Sequence, residues 1–190
     1  MSVPASHPAS SSPAAGARAL ALATLVARET LLVLGFALAL AFAARIVLPL
    51  GFTPVPVTAQ TFVVLVGGVL LGARRAGSGG LAYLALGVAG IPWFATGGAT
   101  LGYIAGFALA ALLVGRAAQA GQLDRRGSAL VVMAGAHAAI YVLGATWLAL
   151  FLGVGPVMAL TLGVVPFLLG DVVKVAVAAA IAPSLVRVSR

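Results

Sequence analysis

The sequence predicts an all-α integral membrane protein, a bundle of six transmembrane helices with the N- and C-termini cytoplasmic, and three observations carry that prediction. Of the 190 residues, 63% are hydrophobic and 7% charged, against about 25% charged in soluble globular domains. Apolar stretches follow one another along the chain, separated by short breaks rich in Gly, Pro or Arg. The basic residues gather at every second break, which is the imprint of the positive-inside rule. The length suits one helical domain, and no segment is polar enough to fold alone in water. A net charge of +8 would point a soluble domain toward nucleic acid, but here the charges sit in the breaks between spans. The chain has no cysteine and two histidines. Disulfides, thiolate metal sites and cysteine nucleophiles are therefore excluded, and little is left for a metal site.

Residues 1–27 are rich in Ser, Ala and Pro, with Pro4, Pro8, Pro13 and the triplet Ser10, Ser11, Ser12. Such a composition buries too little to order itself, so a disordered cytoplasmic tail is expected there and a six-helix transmembrane domain over residues 28–190. Arg18 before an Ala-Leu run imitates a signal peptide. The run stops at Arg28 and Glu29, however, and a full span follows at once.

Span 1 is expected at residues 31–48. Its small residues fall on two helical lines, Gly35, Ala39 and Ala43 on one and Ala37 and Ala41 on the other; in lipid such lines mark faces where helices dock closely. Pro49, Pro54 and Pro56 break the helix into an extended loop. Span 2 (57–71) opens with Thr58, Gln60 and Thr61. A tight charged turn with Arg74 and Arg75 leads to span 3 (77–91), which carries Tyr83 and the glycines at 77, 79, 80, 87 and 90. Both are short of the ~20 residues of a standard crossing, a feature that in transporters often surrounds a midplane cavity. The loop from Pro92 to Thr100 carries Trp93 and Phe94, an aromatic pair suited to the membrane interface. Its glycines make no phosphate-binding fingerprint, since no strand precedes them. Span 4 (101–118) starts with Gly102, Tyr103 and Gly106, and span 5 (129–152) carries His137 and Tyr141 at i and i+4. Span 6 (157–183) is expected to be interrupted near Gly163 to Pro166.

Nine basic residues lie at one set of ends: Arg18 and Arg28, Arg74 and Arg75, Arg116, Arg125 and Arg126, Arg187 and Arg190. The loops after spans 1, 3 and 5 hold none, so the set marks the cytoplasmic side. The exceptions are Arg45, at the outer end of span 1 where it can snorkel to the surface, and Lys174. Within residues 166–183 only Asp171 and Lys174 are charged. Three apart on a helix, they share a face and can partner each other or a common ligand. Each costs at least ~2.5 kcal/mol to place in a membrane helix, so the pair reads either as a neutralised lock between helices or as a ligand site entered from outside. The chain has no Walker motif for ATP. An intramembrane enzyme with Asp171 and His137 as acid and base would lack a nucleophile, a metal cluster and a second carboxylate.

Several stretches are familiar. Residues 53–61, Thr-Pro-Val-Pro-Val-Thr-Ala-Gln-Thr, resemble a Val-Pro-Ile-Thr-x-Gln-Thr pattern, and residues 83–95 resemble a Tyr-Leu-x-x-Gly-x-x-Gly-x-Pro-x-Phe stretch. Gly-Tyr-Ile-Ala-Gly-Phe at 102–107 and Pro-Phe-Leu-Leu-Gly-Asp-Val-Val-Lys at 166–174 complete the set. In this order and spacing they resemble the BioY family, biotin-specific substrate-binding (S) components of energy-coupling-factor (ECF) transporters. The resemblance runs from span 1 to the C-terminus. It implies capture of biotin from outside, a location in the prokaryotic cell membrane, no enzymatic activity and no resident cofactor, biotin being the transported ligand. It also implies a transmembrane T component and two cytoplasmic ATPase subunits as partners, with the small residues Gly35, Ala37, Ala39, Ala41 and Ala43 docking on the T component. By the same resemblance Asp171 and Lys174 contact the polar head of biotin, and Tyr103 with Gly98 and Gly102 lines or covers the pocket. Tyr83, Trp93, Thr58, Gln60 and Arg45 join the expected site. Residues 77–91 depart from members with an amide in span 3, having neither Asn nor Gln. An S component for another vitamin, thiamine or riboflavin, stays open at this point.

Overall fold

The computed structural model describes residues 13–94 and 98–189. By internal packing the chain divides into residues 1–31 and 32–190. In the first unit, helix α1 (Pro13–Ala43) begins at Pro13, so residues 13–27 are helical where a disordered tail was expected; residues 1–12 lie outside the described residues. Proline fits the first turn of a helix and the Ala, Leu and Arg that follow are strong helix formers, so local propensity outweighs the tail-like composition. Leu20, Leu22, Leu25 and Val26 are exposed on this stretch.

The second unit starts within α1. The helix stops at Ala43, short of the expected 48, because Val47–Leu48 (β1) pairs antiparallel with Val57–Thr58 (β2), Val47 opposite Thr58. The loop between the two strands was expected to be extended, but it turns at residues 50–53, where the Thr53 N–H donates to the Leu50 carbonyl at 3.3 Å, and bends again at Pro54 and Val55. Helix α2 (Gln60–Val88) breaks at Gly72, whose φ of 73° is a backbone region that only glycine enters cheaply. The turn expected over 72–76 is thus a single residue, with Arg74 and Arg75 already helical. The limbs 60–71 and 73–88 fold back on each other: Gln60 Nε2 donates to Tyr83 Oη at 2.9 Å, whereas a straight helix would separate them by about 35 Å.

A 3-10 turn (Gly98–Thr100) leads into α3 (Leu101–Gln119), and α4 (Arg126–Leu152) ends on Gly153 in the left-handed conformation. Then α5 (Pro156–Gly163), a 3-10 turn (Val165–Phe167) and α6 (Leu168–Ser189) follow. The interruption expected near Gly163 to Pro166 is present, and α6 runs on through Pro183 to Ser189. Among the described residues, five helical stretches are long and apolar enough to cross a membrane: Gly16–Ala43, Gln60–Val88, Gly98–Gln119, Arg126–Leu152 and Pro156–Ser189. The protein is a multi-pass, mostly helical membrane protein.

The small residues of α1 divide between two faces of the helix. Ala37 and Ala41 are 0% exposed and Ala43 is 4% exposed within this chain alone, so these three face its own helices. They let α1 approach its own neighbours, the same close-packing logic turned inward. Gly35 and Ala39 lie exposed on the opposite face. Glycines of α2 serve the interior similarly: a Cβ at Gly80 would stand 2.7 Å from the Cα of Ala108 on α3. Since backbone cannot yield cheaply, Gly80→Val should destabilise the bundle by about 1–3 kcal/mol through overpacking. A Cβ at Gly35 meets nothing within 4 Å, so Gly35→Ala should leave the thermal midpoint of the purified protein unchanged while Gly80→Val lowers it.

Candidate functional site

Six segments converge on a cavity of about 330 Å³. Its polar end is built around Asp171, in the first turn of α6, where the positive end of the helix dipole favours a carboxylate. The break at Val165–Phe167 is what starts a helix there, inside the bundle. Lys174 Nζ donates to Asp171 Oδ1 at 2.8 Å, to the Thr58 carbonyl at 2.8 Å and to Thr61 Oγ1 at 3.2 Å. Thr61 Oγ1 in turn donates to Oδ1 at 3.2 Å, and Tyr141 Oη donates to Oδ2 at 2.6 Å. His137 Nε2 stands 3.0 Å from the same Oδ2, off the line of a regular hydrogen bond. Asp171 is 6% and His137 4% exposed. Asp171 and Lys174 are tolerable in this setting because their charges cancel and their polar atoms are paired.

A second polar group lies alongside. Thr58 Oγ1 donates to Gln60 Oε1 at 3.2 Å, and the Gln60 amide donates to the Leu40 carbonyl at 3.2 Å and to Tyr83 at 2.9 Å. Gln60 thereby ties α1 to both limbs of α2. Apolar and aromatic walls complete the cavity, from Ile104 and Phe107 on α3, Ile140 on α4, Phe167 before α6, and Val55 and Phe94 in the loops. At the exposed side stand Arg45 and Trp93. The Arg45 guanidinium lies 5.1 Å from the Trp93 ring centroid and Nη2 reaches the Pro92 carbonyl at 3.4 Å, an arrangement that holds the loop while leaving the cation at the mouth.

Of the expected site residues, Asp171, Lys174, Tyr103, Tyr83, Trp93, Thr58, Gln60 and Arg45 all line this cavity. Gly98 and Gly102 do not. The Gly98 carbonyl accepts from Trp147 Nε1 at 2.7 Å, and Gly102 packs against the Leu143 carbonyl and Trp147. Gly102 seats α3 against α4, where a side chain would not fit, whereas a Cβ at Gly98 would meet nothing within 4 Å and the glycine there serves the backbone's φ of 65°. Residues 95–97 of the same loop lie outside the described residues. Tyr103 contributes wall more than hydrogen bonds, because its hydroxyl is spent on the Gly163 carbonyl at 2.8 Å. Sequence reasoning placed no site role on Thr61 or Tyr141 and named none of Val55, Phe94, Ile104, Phe107, Ile140 and Phe167 for the walls. The signals existed: Thr61 closes the Thr-x-Gln-Thr stretch, and the i, i+4 spacing put His137 and Tyr141 on one face. Among the described residues no cluster of three or more His, Asp or Glu side chains could hold a metal.

The chain matches the profile of the BioY family over residues 12–190. It is 36% identical over 167 residues to a protein named probable biotin transporter BioY from Pyrococcus horikoshii, covering 84% of this chain and 96% of that one. It is 34% identical over 145 residues to the biotin transporter BioY of Rhizobium etli, covering 68% and 77%. Against biotin transporter BioY2 of Lactococcus lactis it is 35% identical over 153 residues, covering 76% and 82%. The fold is similar to that of a crystal structure at 2.1 Å of an S-component for biotin from an ECF-type ABC transporter. That likeness has a TM-score of 0.72 at 21% identity, over 86% of this chain and 93% of that one. With a profile spanning nearly its whole length and relatives above 30% identity along most of theirs, the chain belongs to the BioY family.

Proposed function

We propose that the chain is the biotin-binding S component of an ECF-type vitamin uptake transporter, capturing biotin from the outer side of a prokaryotic cell membrane. The observation that carries this reading is the buried Asp171–Lys174 pair at one end of a cavity whose other walls are apolar. Biotin offers a matching set of groups. Its ureido N–H groups need an acceptor such as Asp171, and its ureido carbonyl can accept from an ammonium such as Lys174. Its fused rings and aliphatic chain suit aromatic and branched walls. The terminal carboxylate then meets Arg45 at the mouth. The cavity volume is at the small end of the ~300–1,000 Å³ range of ligand sites, as a molecule of this size requires.

In the membrane the binding domain, residues 28–190, makes six crossings: α1, the two limbs of α2, α3, α4, and α5 with α6. The described basic breaks at Arg18 and Arg28, Arg74 and Arg75, Arg116 to Arg126, and Arg187 then share one side, which the positive-inside rule makes cytoplasmic together with both termini. Partners are a transmembrane T component, which Gly35 and Ala39 remain free to face, and two cytoplasmic ATPase subunits that hydrolyse the ATP. The chain itself is no enzyme and keeps no cofactor.

Purified protein should bind labelled biotin, and excess thiamine or riboflavin should fail to displace it. Asp171→Asn should weaken biotin binding by about 10–100-fold, the loss of a charge-assisted hydrogen bond of ~1.5–3 kcal/mol; an unchanged affinity would remove the site assignment. Because the chain has no native cysteine, topology can be read with single introduced thiols. Gly51→Cys should react with a membrane-impermeant maleimide in intact cells, and Gly127→Cys only after permeabilisation.

A further inference from the structure

The four donor groups around the Asp171 carboxylate divide by oxygen and by helix. Oδ2 belongs to α4, with the Tyr141 hydroxyl at 2.6 Å and His137 Nε2 at 3.0 Å. The two α4 rings support each other, meeting edge to face at 4.8 Å and 83°. Oδ1 belongs to α2 and α6, with Lys174 at 2.8 Å and the Thr61 hydroxyl at 3.2 Å. Oδ1 already accepts two hydrogen bonds, the number its lone pairs allow, so a ligand N–H can reach that oxygen only by exchange. The Thr61 contact is the longest of the four, and its oxygen also accepts from Lys174 at 3.2 Å. A hydroxyl that donates to the acid and accepts from the ammonium occupies the seat of an adjacent N–H and C=O.

The Asp χ2 torsion is broad, so a carboxylate held through one oxygen can turn its plane away from the ligand. A second oxygen fixed from another helix removes that freedom. We propose that Tyr141, propped by His137, is a positioning residue: it fixes Oδ2 of Asp171 so that Oδ1 is the oxygen presented to the ligand, in exchange for Thr61. This rests on the biotin-binding reading and names the group that orients its acceptor. Although Tyr141 lines the cavity, its hydroxyl is spent on Oδ2, so its role is to orient the acceptor, as outer partners do for metal ligands.

A double-mutant cycle tests it. Tyr141→Phe in the wild-type background should lower biotin affinity about tenfold or more, the worth of a hydrogen bond to a charged group. In the Asp171→Asn background the same change should cost less than about twofold. Equal losses in the two backgrounds would mean that Tyr141 acts on the fold alone and would overturn the proposal. A second arm needs no ligand. The infrared carboxylate stretch that Asp171→Asn abolishes should shift in Tyr141→Phe, and an unmoved band overturns the proposal whatever biotin does. If wild-type protein fails to bind biotin while the band shifts, the ligand reading falls and the fixing of Oδ2 stands. Should Tyr141→Phe fail to accumulate, His137→Leu is run through the same cycle and the same infrared measurement, with a smaller loss of the same coupled form expected.

Discussion

The constraint on which the rest of this molecule depends is that a carboxylate and an ammonium sit inside a lipid-embedded bundle and must be kept neutral and paired. An isolated charge there is costly enough to be avoided, and the surrounding structure is arranged around that cost. Two adjacent turns of α6 bring Asp171 and Lys174 together. The start of α2 supplies Thr58 and Thr61, and α4 supplies Tyr141 and His137. The pair is therefore a three-helix junction as well as the polar end of the cavity.

This explains why two readings of such a pair are not exclusive. A neutralised lock between helices and a ligand site differ in whether a cavity opens onto the charges, and here one does. The break between α5 and α6 serves both purposes. It begins a helix within the bundle, which places a partial positive charge near Asp171, and it frees the Gly163 carbonyl to anchor Tyr103 in the cavity wall. Discontinuous helices whose ends face a site recur in membrane transporters for this reason.

Much of this was legible in the chain. Apolar run lengths gave α3 and α4 nearly to the residue, because both are bounded by Gly or Arg breaks that admit one interpretation. Asp171 and Lys174 stood out since charge in an apolar run has few explanations. The misses have physical causes. The start of α1 was hidden because Ser, Ala and Pro are common both in disordered tails and at helix starts. Its end was misplaced because a two-residue strand pairing with β2 is a long-range contact that no local pattern reveals. The alanines of α1 were legible as a close-packing face, but whether such a face meets its own chain or another depends on where the helix sits in the bundle. Gly98 and Gly102 were expected at the pocket, and the contacts with Trp147 and Leu143 that draw them to α4 instead are long-range ones that no local pattern shows.

The single-residue reversal at Gly72 has a mechanical consequence. With no loop between them, the limbs of α2 meet at a stiff elbow, seated against the C-terminal part of α3 where Gly115 packs on Gly72 and Ala73. Gln60 and Tyr83, joined at the far tips, close the V into a braced frame. That side of the pocket must then tilt as one piece, keeping its width while helices around it change places.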